Sequence, residues 1–163
     1  MDREKIFNEV METIYEMTKL VSTYESIPRK YGTEDELYMV EAHTLDLIGR
    51  RSKLTASEIA IITNKTKGAV SQIIHKLTQK ELIYKYRNPT NFREQIIELT
   101  EKGKSIYAYH SNLDTEEYRK HLQNMYNISN EDFKKFISIG QIFNKGIQQV
   151  LNGKDVVFDD SEE

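Results

Sequence analysis

The chain has no cysteine, which removes disulfides, thiolate metal sites and thiol redox sensing from its chemistry. It also lacks any run approaching the roughly 18 continuous apolar residues that a membrane span requires. The first residues, Met1-Asp2-Arg3-Glu4-Lys5, are charged, so a cytoplasmic protein with no membrane partner is expected. There is no glycine-rich phosphate loop, HExxH pair, nucleophile elbow or cysteine nucleophile, and an enzyme is therefore not expected.

What is present is 163 residues, 38% apolar and 30% charged, enough for one domain with a substantial core. A net charge of −3 argues against a protein that coats any polyanion, but the charge is segregated. Residues 50–104 carry 12 Lys and Arg against 5 Asp and Glu, and the rest of the chain carries 11 against 21. A basic centre between acidic flanks fits a segment that faces the DNA backbone. Chance clustering of solvated charge is the plainer alternative.

Apolar residues at Ile6, Val10, Ile14, Met17, Val21 and Tyr24 form one stripe of a long first helix, which Pro28 to Gly32 should break. Thr33 with Glu36 reads as a capping box opening a second helix with core residues Leu37, Val40, Leu47 and Ile48, ended by Gly49. A second box, Thr55 with Glu58, starts a short helix carrying Ile59 and Ile62. Thr63-Asn64-Lys65 then interrupts, and Thr66 caps a further helix with Val70, Ile73, Ile74 and Leu77 inward. Leu82 to Tyr86 and Gln95 to Leu99 read as two strands joined by a hairpin loop with Arg87 and Arg93. A helix from about Lys104 to Met125 follows. The last helix places Phe133, Phe136, Ile137, Gly140, Phe143, Ile147 and Val150 on one face. The two terminal stripes exceed what a small winged helix can cover, so a homodimer is expected, with packing inside one chain as the alternative.

The fold class is thus mainly α, a winged helix-turn-helix with a short β-hairpin wing plus N- and C-terminal dimerisation helices. Such a unit sets one helix in the major groove of double-stranded DNA. Thr66 and Lys67 would meet phosphate at that helix's N-terminus, Ser71 and Gln72 would reach bases, and Lys65 and Lys76 would flank the backbone. The hairpin would lie over the minor groove, whose negative potential favours Arg93; a solvated hairpin charge is the alternative.

The runs Leu54-Thr55-Ala56-Ser57-Glu58-Ile59-Ala60, Lys67-Gly68-Ala69-Val70-Ser71-Gln72, Leu77 through Leu82-Ile83, and Leu99-Thr100-Glu101-Lys102-Gly103 together resemble the MarR family of transcription regulators in order and spacing. The strong resemblance covers about residues 37–103. It implies a single domain, with residues 1–32 and 104–152 supplying dimerisation helices, 33–103 the DNA-binding lobe and 153–163 an acidic tail. It also implies a homodimer that binds a pseudo-palindromic operator, acts as a repressor and needs no cofactor. One departure is Asn91, where the family's wing carries an Asp two residues before its minor-groove Arg; Asn can orient a guanidinium only without charge assistance.

His110 and Asp114, four residues apart, share a helical face that could chelate a divalent cation. The zinc-sensing branch of the same family is similar here, which implies Glu25, His43, His110 and Asp114 as a ligand set. Asp114 replaces a His, and Tyr31, Ala42 and Tyr109 occupy the positions of that branch's second site. An oxygen-rich set admits zinc, manganese, iron or nickel as effector, while a packed imidazole at His43 or His110 is the plainer reading. A small aromatic or apolar effector is the alternative, in a pocket lined by Tyr24, Tyr38, Tyr107 and Tyr109. A winged-helix protein-interaction module without DNA binding is the alternative of another class.

Overall fold

The stripe beginning at Ile6 lies on helix α1 (Arg3–Glu25), opened by the Asp2 carboxylate accepting the Glu4 N–H. The computed structural model describes residues 2–153, so the acidic tail falls almost wholly outside it. The chain divides into two units between Glu116 and Glu117.

In the first unit, the segment after Pro28 is a small antiparallel hairpin, β1 (Arg29–Lys30) and β2 (Glu36–Leu37). The expected Thr33–Glu36 capping box is therefore corrected: the Thr33 hydroxyl oxygen accepts the Asp35 N–H within the turn, and Glu36 pairs with Lys30. Helix α2 (Met39–Arg51) starts later, its first turn closed by the Glu41 carboxylate accepting the Tyr38 N–H at 2.9 Å. Nor does Gly49 end that helix. It continues to Arg51, and Ser52 takes the positive φ of 67°. Gly49 instead makes room for the Tyr107 ring, which an added Cβ would approach to 2.7 Å.

A two-residue strand that the sequence did not announce, β3 (Leu54–Thr55), precedes helices α3 (Ala56–Thr63) and α4 (Lys67–Gln79). The expected hairpin follows as β4 (Ile83–Arg87) and β5 (Gln95–Leu99). The sheet order is β3-β5-β4, antiparallel, with Leu54 opposite Ile97 and Ile83 opposite Leu99. Helix α5 (Glu101–Asn124) begins three residues before the expected start, and the unit boundary falls within it. Leu37, Leu45, Ile48, Ile59, Val70, Leu77, Leu82, Ile97 and Ile106 make a single core from α2, α3, α4, the sheet and the start of α5. Ile62 is not part of it: it is 47% exposed, and Ala60 is buried in its place.

One ion pair is sunk into this unit. Glu41 is 1% exposed, and both of its carboxylate oxygens accept from Lys80 at the end of α4, which also donates to the Glu36 carbonyl. The pair ties the start of α2 to the end of α4, and removing either partner would strand a charge.

The second unit contains helix α6 (Asn130–Leu151), opened by Ser129 and Asp132 in a reciprocal cap. No residue of α6 is buried, nor is any residue of α1. Among the described residues no helix is long and apolar enough to cross a membrane.

Candidate nucleic-acid interface

The two helices of the helix-turn-helix are set by their caps. Thr55 accepts the Glu58 N–H, and the Glu58 carboxylate accepts the Thr55 N–H at 2.7 Å and its hydroxyl at 2.8 Å. These bonds hold the Glu58 carboxyl below its ordinary range. Asn64 ends α3 in the left-handed region with φ 51°, and two residues later Thr66 caps α4 by accepting the Ala69 N–H. Helix, tight turn and helix are as expected.

The four expected core residues of α4 are all buried. Its other face carries Lys67, Ser71, Gln72 and Lys76, all exposed, as are Lys65 and Thr66 before it. These residues do not share one surface; they flank a ridge. On one side, Lys65, Gln72 and Lys76 line a hollow of about 460 Å³ with Ser22, Glu25 and Tyr38, the Lys76 ammonium standing 5.6 Å over the Tyr38 ring. On the other, Ser71 lines an open groove of about 620 Å³ with Arg87, Arg93 and Phe92 of the hairpin. That groove includes His75 and Lys85, which the sequence reading missed. The signal was available: His75 follows Ser71 by four residues on the same helical face.

Cations here are largely unspent. The ion pairs of the basic segment engage Arg50, Lys80, Lys102 and Lys104. Among the described residues, Lys65, Lys67, Lys85, Arg87 and Arg93 take part in no ion pair and are exposed. The Asn91 side-chain oxygen accepts the Arg93 backbone N–H at 3.3 Å. The base of the hairpin is braced by Glu98, which accepts from the Tyr84 hydroxyl at 2.5 Å and from the Tyr86 hydroxyl. Those bonds lower the Glu98 carboxyl and push Tyr86 up to about 12.

The expected metal ligands are brought together only in part. His43 on α2 and His110 on α5 meet edge to face at 5.5 Å between ring centroids, and Tyr31 stacks on His110 at 5.2 Å. His43 is exposed and His110 is buried. Glu25 lines the 460 Å³ hollow, and the side chain of Asp114 lies outside the described structure. Among the described residues no three His, Asp or Glu groups are arranged to hold an ion, and His43 and His110 are the two expected ligands brought together. The four tyrosines proposed for an aromatic pocket are dispersed. Tyr38 faces the 460 Å³ hollow, Tyr107 a separate one beside Gly49 and Glu98, the Tyr24 ring carries the Arg29 guanidinium, and Tyr109 packs where Gly32 leaves space.

The helix-turn-helix followed by a two-stranded hairpin defines a winged helix-turn-helix protein. Residues 37–94 match the model of the MarR family. Over 96 residues the chain is 30% identical to the HTH-type transcriptional regulator PchR of Bacillus subtilis, covering 59% of this chain and 57% of that protein. The chain therefore matches a little over half the length of that relative. Among solved structures it is similar to the zinc-responsive MarR family member ZitR of Lactococcus lactis, with TM-score 0.68, 17% identity, and 86% and 97% of the two chains covered. It is also similar to Streptococcus pneumoniae FabT in complex with DNA, with TM-score 0.62, 23% identity, and 94% and 100% covered. At these identities the two structures speak to fold.

Proposed function

We propose that this protein is a sequence-specific transcription regulator that binds duplex DNA as a homodimer, with repression by occupancy of a pseudo-palindromic operator as its mode of action. The observation that carries the reading is the ridge of α4, exposed and flanked by Lys65, Lys67, Arg87 and Arg93, which take part in no ion pair among the described residues. With the Thr66 hydroxyl oxygen committed to the Ala69 N–H, the first amides of α4 are left for a phosphate, and Lys67 adds a charge beside them. Ser71 and Gln72 then stand over base edges, and Gln pairs bidentately with adenine. Arg87 and Arg93 extend the contact along the wing. The bare apolar faces of α1 and α6 support a second copy as partner.

The test is fluorescence anisotropy on duplexes selected by the wild-type protein from a randomised 30-base-pair pool. Binding should weaken steeply with salt through counterion release. Lys67→Ala should weaken all duplexes alike, and Gln72→Ala should relax preference at one position by about 1–3 kcal/mol. An unchanged preferred sequence in Gln72→Ala overturns the base-reading assignment, and salt-insensitive association would favour a protein-interaction module. Control by a divalent metal through Glu25, His43, His110 and Asp114 is a second reading, favoured by the approach of His43 to His110. It requires zinc or manganese to shift the binding curve of the wild type but not that of His110→Ala.

A further inference from the structure

Phe92 is 74% exposed at the tip of the hairpin, an apolar ring held in water between Asn91 and Arg93. The loop that carries it is tied down. The Asn88 N–H donates to the Glu94 carbonyl at 3.0 Å, the Asn91 N–H to the Asn88 carbonyl at 3.2 Å, and the Glu94 N–H to the Asn91 carbonyl at 2.9 Å. The Asn88 side-chain oxygen accepts both the N–H and the hydroxyl of Thr90, and the Asn91 side chain accepts the Arg93 N–H. Two Asx-type closures, at Asn88 and Asn91, thus add to three backbone bonds, so the ring is presented on a hydrogen-bonded support and less conformational entropy is left to be lost on contact.

Its neighbours define what it can meet. Phe92 lines the 620 Å³ groove together with Lys85, Arg87 and Arg93, three cations against the one carboxylate of Glu94. An apolar protein surface would have to desolvate those charges without compensation, whereas a nucleic-acid duplex offers phosphates to the cations and, within the minor groove, deoxyribose walls and base steps to the ring.

We propose that Phe92 is a minor-groove wedge, inserted beside Arg93 against a flexible base step of duplex DNA, and that it sets a sequence preference under the wing which α4 does not read. This rests on the DNA-binding reading above. Arg93 responds to groove width, and the ring responds to how easily a step opens, which is greatest for pyrimidine–purine steps. The two adjacent residues thus read different properties of the same few base pairs.

The experiment uses the full chain and the duplexes selected by the wild type, with 2-aminopurine placed in turn at each step beneath the wing. Wild-type binding should raise the 2-aminopurine fluorescence at one step, and the selected pool should be enriched there in pyrimidine–purine. Phe92→Ala should bind about tenfold more weakly, lose the fluorescence rise and the step preference, and keep the salt slope, since no phosphate contact is lost. Phe92→Leu should retain most of the affinity because bulk, not aromaticity, opens the step. Arg93→Ala should instead lower the salt slope by about one. Wild-type binding matched by Phe92→Ala in affinity and step preference overturns the wedge alone. Failure of the wild type to select any duplex overturns the wedge and the DNA-binding reading together.

Discussion

Helices α4 and α6 are both amphipathic, yet only one covers its own apolar face. In 13 residues, α4 buries Val70, Ile73, Ile74 and Leu77 against its own chain and leaves its polar face to solvent. In 22 residues, α6 buries nothing, and Phe136, Ile137, Ile147 and Val150 are each more than half exposed. α1 repeats the pattern of α6. Burial of a large apolar side chain is worth roughly 1.5–3 kcal/mol, so the exposed face of α6 is where the proposed second copy would gain most. The winged helix buries its own core, whereas α1 and α6 bury no residue.

The sharpest way to break that contrast is to truncate one residue of each kind. Leu77→Ala should cost about 2–5 kcal/mol in chemical unfolding, because Leu77 is 0% exposed and the hole it leaves is walled by a packed core. Ile147→Ala, at a position 57% exposed, should cost far less in dilute protein and should become destabilising as concentration rises if a second copy covers it. Equal, concentration-independent losses would show that α6 is already covered. A smaller perturbation of the fold, but a direct test of the partner, is Phe136→Asp with Ile147→Asp. Sedimentation should report a monomer, the circular dichroism of the winged helix should persist, and DNA affinity should fall to that of a half-site. A variant that still sediments as wild type removes α6 from the interface.

The contrast also explains what could be read from the sequence. α3, the turn and α4 were legible because their caps and their stripe lie within a few residues: Thr55 with Glu58, Thr66 with Ala69, and Val70 to Leu77. The start of α2 was misread because Thr33-x-x-Glu36 satisfies the same local pattern, and only pairing of Glu36 with Lys30 across the chain decides for a strand. Gly49 was misread as a stop, since its contact is Tyr107, 58 positions away. Gly103 shows the reverse: its place in the Leu99 to Gly103 run was plain, but its reason is a Leu82 carbonyl that an added Cβ would approach to 2.0 Å. In the site, Ser71, Arg87 and Arg93 were found and do share a groove. His75, Lys85 and the separation of Gln72 and Lys76 onto the other flank depend on how the hairpin sits against α4, which no local spacing encodes.

The smallest expected effect compares two caps. Glu58 closes α3, which is packed on the core, and Asp132 closes α6, which is not; both carboxyls lie below their ordinary range because each accepts bonds from its capping partner. A carboxyl lowered in the folded state takes up its proton first in the unfolded chain. Its contribution is therefore present above the ordinary value of 4.5 for Glu58 and is lost as pH falls through the lower folded value. Glu58→Gln should reduce global stability at pH 7 by on the order of 0.5 kcal/mol, a capping effect reduced by solvent exposure. Its urea midpoint should converge with that of the wild type as pH falls below the lowered folded value. Asp132→Asn should leave the global midpoint unchanged in monomeric protein and only speed amide exchange in the first turn of α6, because fraying an uncovered helix end is local. A global loss from Asp132→Asn in the monomer would mean that α6 is part of the cooperative core, and the distinction between the two helices would fall.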